Sequence, residues 1–209
     1  MLAYASHTNS SRNLEKLREY GWRLLRTPFT TGKSNHGFRY GLDNGAWHAH
    51  QAGEPFDQMA FERLLSDYGD GSDWIVSPDI VCGGVESLEM SVSWIPRLQK
   101  YGVPILIPVQ DGMVASDLRE HLSESVGIFV GGSTEFKEGT AALWGKLARE
   151  RRAYLHVGRV NTVRRIAICG AAGADSFDGS GASKFSSTVR RLSIAARQRD
   201  LFSPKGSGV

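Results

Sequence analysis

Apolar runs with strand character recur eight times along this chain of 209 residues, and most are followed by a stretch with helical spacing. That rhythm constrains the fold more than any other feature. The runs are Leu2–Ser6, Trp22–Arg26, Phe38–Leu42, Trp74–Ser77, Pro104–Val109, Val126–Val130, Ala153–His156 and Ser176–Phe177. Helical spacing follows over 9–20, 56–68, 86–101, 139–151 and 162–172, and again from near Ser183, while 28–37 reads as a polar loop. Eight β then α units predict an α/β fold of the closed (β/α)8 TIM-like barrel type, at the small end of its size range. An open doubly wound sheet is the alternative. The barrel is favoured because Asp43, Asp79, Gln110, Gly131-Gly132, His156 and Asp178 all fall at C-terminal strand ends, which a barrel gathers on one face. One domain over 1–209 is expected, with a frayed tail over 202–209.

Composition narrows the function classes. A net charge of +3 and no basic tail mean that any affinity for nucleic acid must come from a local patch. Cys82 and Cys169 are the only cysteines, which excludes a disulfide framework and a CxxC zinc site, and a reducing cytoplasmic setting is expected. The first residues lack a signal-peptide pattern, and no apolar run reaches membrane-spanning length, so no membrane partner is expected.

The carboxylates Asp43, Asp79 and Asp178 suit acid-base and nucleophilic work. Metal binding is the weaker reading, because His48 and His50 follow Trp47 as loop histidines without a matching acidic partner. Trp47 is placed either to cover a flat ring or to pack in the core. Gln110 offers an amide fork, and Gly131-Gly132 offers bare backbone, which together suit a planar heterocycle. Asp79 could accept two parallel hydrogen bonds from a guanine-like edge. After Asp178, the turn Gly179-Ser180-Gly181 leads to Ser183 and Lys184 and reads either as an ordinary capped loop or as a phosphate site at a helix start.

These residues carry a resemblance. Tyr154-Leu-His-Val-Gly158 through Gly173-Ala-Asp-Ser-Phe-Asp178 resembles the segment of tRNA-guanine transglycosylases from their YLMGVG motif to their GxDMFD motif. Asp43-Asn-Gly-Ala-Trp47 is similar to that family's DSGGF/Y motif. Asp79, Gln110 in Val-Gln-Asp-Gly and Gly131-Gly132 in Phe-Val-Gly-Gly resemble its base-recognition residues, so five motifs occur in order over about 38–183. The family's three-cysteine, one-histidine zinc site has no counterpart, and Gly179–Ser183 replaces its Cys-Val-x-Pro-Thr-Arg run. The shortened pattern, in a chain that stops soon after the last helix, resembles the phage-type DNA 7-deazaguanine transglycosylases (DpdA family).

The resemblance implies a barrel without the zinc subdomain that exchanges guanine in DNA for a 7-deazaguanine and thereby shields phage DNA from restriction. It makes Asp178 the nucleophile, Asp43 the second catalytic acid, and Asp79, Gln110, Gly131, Gly132 and Trp47 the base site. His156 would pack on the base, although the family usually has an apolar residue there. The implied partners are DNA with a flipped-out guanine and a free deazaguanine, and no cofactor is expected. Gly179, Ser180, Gly181, Ser183 and Lys184 would meet DNA phosphate, with Arg159, Arg164, Arg165, Arg190 and Arg191 extending a basic rim. Other activities open to the same residues are tRNA-guanine transglycosylation, hydrolysis of a DNA or nucleoside glycosidic bond, and nucleic-acid binding without catalysis.

Overall fold

The computed structural model describes residues 1–30 and 32–202, with side chains through residue 198. Its strands are β1 (Leu2–Ser6), β2 (Arg23–Arg26), β3 (Tyr40–Leu42), β4 (Ile75–Val76), β5 (Ile105–Val109), β6 (Val126–Val130), β7 (Leu155–Val157) and β8 (Ser176–Gly179). They close into a parallel barrel in chain order. The seam is the β8 to β1 ladder, which runs from Leu2↔Ser176 to Ala5↔Gly179. Around it lie α1 (Ser11–Glu19), α2 (Ala46–Ala52), α3 (Gln58–Tyr68), α4 (Gly84–Leu98), α5 (Ala115–Leu118), α6 (Thr134–Arg151), α7 (Val163–Ala172), α8 (Gly181–Lys184) and α9 (Ser186–Phe202). The chain is therefore a (β/α)8 TIM-like barrel.

Both faces of the sheet are covered, which explains why the strands read as continuous apolar runs; all five positions of β5 are buried. Outward side chains such as Leu24, Leu42, Ile105 and Ile107 join Leu17, Phe61, Leu64 and Trp144 of the helices in one core. The inward set is smaller: Tyr4, Leu25, Trp74, Val76 and Leu106, with Phe129 and Tyr154 against them. The ring of Tyr4 lies 5.0 Å from that of Trp74, which lies 4.7 Å from His156. Tyr4 is in β1, Trp74 directly precedes β4 and His156 is in β7, so rings from non-adjacent parts of the sheet meet in the barrel interior. Gly41 makes room for the indole, because a Cβ there would fall 2.4 Å from Trp74.

At the N-terminal end Asp73 closes the barrel. Its carboxylate pairs with Arg23 at 2.9 Å and Arg39 at 2.6 Å, and accepts from the Tyr4 hydroxyl at 3.0 Å. The C-terminal end is left open. No helix among the described residues is long and apolar enough to cross a membrane.

Several boundaries differ from the sequence reading. The helices α2 and α5 were not anticipated, since both are short and neither has a Ser, Thr, Asp or Asn cap directly before it. The histidines His48 and His50 thus lie on α2, not in a loop. α6 starts earlier than expected, with the Ser133 hydroxyl accepting from the Phe136 N–H. β7 runs over Leu155–Val157, so His156 is at its centre and not its end. The last helical region breaks at Phe185, which has extended backbone between α8 and α9. The tail expected over 202–209 lies outside the described residues except for Phe202, the last residue of α9.

Candidate active site

The open end holds a cavity of about 1010 Å³. Asp43, Asp79, Asp178, Gln110, Gly131, Gly132, Trp47 and Ser180 all line it. A second cleft of about 790 Å³, lined by Arg149, Arg152 and Asp175 among others, contains none of the expected site residues.

Asp178 belongs to β8 and pairs in register with Tyr4, so the barrel ladder fixes its backbone. The residue is 5% exposed. One oxygen bonds His156 Nε2 at 3.0 Å, and the other accepts from the Arg159 backbone N–H at 3.2 Å. Because a carboxylate only accepts, the His156 proton at this contact sits on Nε2. The other ring nitrogen, Nδ1, meets Ser176 Oγ at 2.7 Å, and Phe129 stacks on the imidazole at 4.9 Å. His156 is fully buried and does not line the cavity, so the expectation that it packs on a base is corrected: it holds Asp178 from beneath. The sequence reading ended the strand at His156 and so put the side chain at the mouth; one further residue of strand puts it inside.

Asp43 follows β3, and its Oδ1 accepts from the Gly45 N–H at 2.7 Å. Burial pushes its carboxyl up to about 7, the Gly45 hydrogen bond opposing this and the negative charges of Asp178 and Asp79 adding to it. Asp79, beyond β4, is pushed up to about 6 by burial, against a lowering hydrogen bond from Asn44. Asn44 Nδ2 reaches both Asp79 Oδ1 and the Ser77 carbonyl at 2.7 Å, while its own oxygen accepts from the Ala46 N–H. Asn44 thus starts α2 and aims Asp79. In the sequence it is indistinguishable from an ordinary turn residue.

Other expected contacts are already engaged. Gln110 lines the cavity, yet both arms of its amide are used on the loop carrying Asp79, accepting from the Cys82 N–H at 2.6 Å and donating to the Ile80 carbonyl at 2.8 Å. It clips that loop and has no free fork for a ligand. The Gly131 N–H belongs to the barrel ladder through Val109, and the Gly132 carbonyl accepts from Arg159. The Gly132 N–H is left without a partner among the described residues.

The phosphate site expected after Asp178 is corrected as well. The N–H of Gly181 donates to Asn161 Oδ1 at 2.8 Å, and the Ser183 hydroxyl donates to the Ser180 carbonyl. A Cβ on Gly179 would fall 2.4 Å from the Val160 carbonyl oxygen, so that glycine permits close approach of the loop after β7. α8 is a single short turn, and Lys184 projects from it into solvent.

Two cations enter the cavity wall that the sequence reading did not single out for the base site. Arg159 has a left-handed backbone at φ 57°, its guanidinium lies 4.0 Å from the centre of the Trp47 ring, and Nη2 donates to the Gly132 carbonyl. It is part of the site and not of an outer rim. Trp47 is 41% exposed at the mouth, which rules out core packing. Lys137 of α6 is 6% exposed and donates to the Gly158 carbonyl at 3.0 Å. With the helix expected only from 139, nothing in the sequence singles Lys137 out. Arg164 and Arg165 are both tied to Glu138.

Among the described residues no three His, Cys, Asp or Glu side chains group as metal ligands. Comparison with protein-family models and with curated proteins gives no match.

The raised Asp43 carboxyl has a consequence for stability. The folded chain keeps a proton that the unfolded chain releases above about pH 4, so stability falls as pH rises from there through about 7. Asp43→Asn removes that loss. The variant is expected to be more stable than the parent at pH 8 by on the order of 2 kcal/mol, after discounting for partial exposure. Thermal unfolding at pH 5 and pH 8 checks this, and an equal shift at both values would refute it.

Proposed function

We propose that this barrel exchanges guanine in DNA for a 7-deazaguanine by double displacement at C1′ of the nucleotide. The observation that carries the reading is the pair Asp178 and Asp43 in one cavity, the first oriented through both oxygens and the second pushed up to about 7. One is set to attack, and the other to exchange a proton near neutral pH.

In the first half-reaction an Asp178 oxygen bonds to C1′ as the C1′–N9 bond breaks. The electron pair leaves with guanine, and Asp43 supplies the proton. Guanine then departs and a deazaguanine takes its place. Its N9–H proton passes to Asp43, N9 bonds to C1′, and the Asp178 carboxylate leaves. Atoms and charge balance over the cycle, and two inversions retain the β configuration. Asp79, aimed by Asn44, accepts from N1–H and the exocyclic amine of each base in turn. Trp47, with Arg159 on one face, offers its other face to a flat ring. DNA is favoured over tRNA because the segment after Asp178 departs from the tRNA enzymes' pattern.

The test is incubation of the protein with DNA or tRNA, labelled guanine and candidate deazaguanines, followed by nucleoside mass spectrometry. Exchange into DNA is expected. Exchange into tRNA alone would overturn the polymer assignment, and guanine release without exchange would identify a hydrolase.

A further inference from the structure

The interior of a (β/α)8 barrel is ordinarily filled by layers of branched apolar side chains. Here a row of polar groups runs through it, from Asp178 toward the N-terminal end. Strand alternation puts Tyr154 and His156 on one face at β7, and Ser176 and Asp178 on one face of β8, while the ladder sets His156 beside Ser176. His156 Nε2 meets Asp178 at 3.0 Å, and Nδ1 meets Ser176 Oγ at 2.7 Å. Below Ser176 comes the Tyr154 hydroxyl, which bonds both Ser176 and Tyr4, and the Tyr4 hydroxyl donates to Asp73 at 3.0 Å. Polar groups are costly to bury even when partnered, so a row of them in an apolar layer points to a use.

His156 and Ser176 are fully buried, and the rings of Trp74, Phe129 and Tyr4 lie 4.7, 4.9 and 5.8 Å from the imidazole. Nδ1 therefore has one polar neighbour among the described residues, the Ser176 hydroxyl. Tyr154, by contrast, is half-buried at the N-terminal end, in the wall of the cleft of about 790 Å³. A hydroxyl carries one proton, so it donates to one partner and accepts from another. Two arrangements of the row follow. In the first, Tyr154 donates to Ser176, and Ser176 donates to Nδ1 of a neutral ring. In the second, Nδ1–H donates to Ser176, Ser176 to Tyr154, and Tyr154 to Tyr4, whose own proton is committed to Asp73. Passage from the first to the second moves the Ser176 proton onto Nδ1, the Tyr154 proton onto Ser176, and a proton from water onto Tyr154. One proton is taken up from solvent, the ring gains one positive charge, and no side chain has to change place.

We infer that the barrel interior is a proton path, by which His156 exchanges a proton at Nδ1 with water at the N-terminal end through Ser176 and Tyr154. The path reaches Asp178 from the side opposite the cavity, so it stays open when a ligand fills the mouth, and it does not depend on what that ligand is. The groups facing the imidazole are Asp178 and Ser176 of β8, Tyr4 of β1, Trp74 ahead of β4 and Phe129 of β6. Asp178 is the acidic one among them, and a proton gained at Nδ1 is stabilised by its carboxylate. Burial raises the Tyr154 hydroxyl above the ordinary phenol range, against a lowering hydrogen bond from Ser176, so Tyr154 passes protons as a phenol and not by ionising. Ser176 and Tyr154 act through His156 and are positioning residues.

The experiment follows the His156 ring nitrogens by ¹⁵N NMR of the histidine-labelled protein, the resonances being assigned from their loss in His156→Gln. In the parent, Nδ1 should gain and lose its proton fast enough to broaden its resonance as pH is varied over about 5 to 8. Tyr154→Phe and Ser176→Ala should slow that exchange by about tenfold or more, and Ser176→Thr, which keeps a hydroxyl, should retain it. Tyr154→Phe leaves every contact of His156 in place, so it serves alone where a Ser176 variant does not fold, and thermal unfolding checks that its fold is kept. Exchange at the parent rate in Tyr154→Phe overturns the inference, because the proton then enters by another way. A parent ring that shows no exchange overturns it as well. The readout is the ring itself and not base exchange, so failure of the path leaves the proposed function standing, and failure of the proposed function leaves the path standing.

Discussion

Asp178→Asn is expected to form no covalent protein–DNA adduct and to lose base exchange by about a thousandfold or more. The substitution keeps the shape of the side chain, and an amide oxygen can still accept from the Arg159 N–H. What it removes is the nucleophile. Binding of a free base should largely persist, since Asp79, Asn44 and Trp47 are untouched. The adduct is read on a denaturing gel with DNA and a deazaguanine, beside binding titrations. Should Asp178→Asn still trap DNA while Asp43→Asn or Asp79→Asn does not, the nucleophile is another of the three acids. His156→Leu offers a graded comparison, because it leaves the carboxylate in place and removes its support from beneath. A turnover defect with little change in base affinity marks His156 as a positioning residue, and His156→Gln, which can still donate, should recover part of it.

How far the site was legible follows from where each residue sits. Asp43, Gln110 and Gly131 each end an apolar run, and a run bounded by a polar residue or glycine is a strong local signal. The closed barrel then brings such ends together whatever the intervening helices do. His156 was misplaced because the reading of β7 stopped at it, and in a strand a short shift of the end decides between mouth and interior. Lys137 and Asn44 carry no local signal: a lysine ahead of the helical spacing expected over 139–151 and an asparagine before a glycine are ordinary there, and only the tertiary fold buries one and turns the other toward Asp79. The glycines after Asp178 fit either an ordinary capped loop or a cradle for an anion. Glycine also serves close backbone approach, and at Gly179 the neighbour is the chain itself.

Exchange should follow a bell-shaped pH profile with its maximum between about 6 and 7, set by Asp79 and Asp43. Asp79 must be ionised to accept both hydrogen bonds of the guanine edge. Its carboxyl is pushed up to about 6 by burial, so exchange falls as pH drops through that value. Asp43 must hold a proton when guanine departs and lose it when the deazaguanine attacks. With its carboxyl near 7, the supply of the protonated form fails as pH rises above that value. Lys137 in the cavity wall is lowered only to about 8 and so stays cationic across this window. Asp43→Asn should abolish the upper limb and lower exchange by about a hundredfold. Any adduct that it forms should persist on addition of a deazaguanine, because nothing takes the N9 proton. The same substitution raises stability at pH 8, so activity and stability move in opposite directions, as expected where a carboxyl is kept in a costly environment for its chemistry. Exchange rates from pH 5 to 9 for the parent and Asp43→Asn provide the check. An upper limb near 7 that survives in Asp43→Asn would assign the proton to another group.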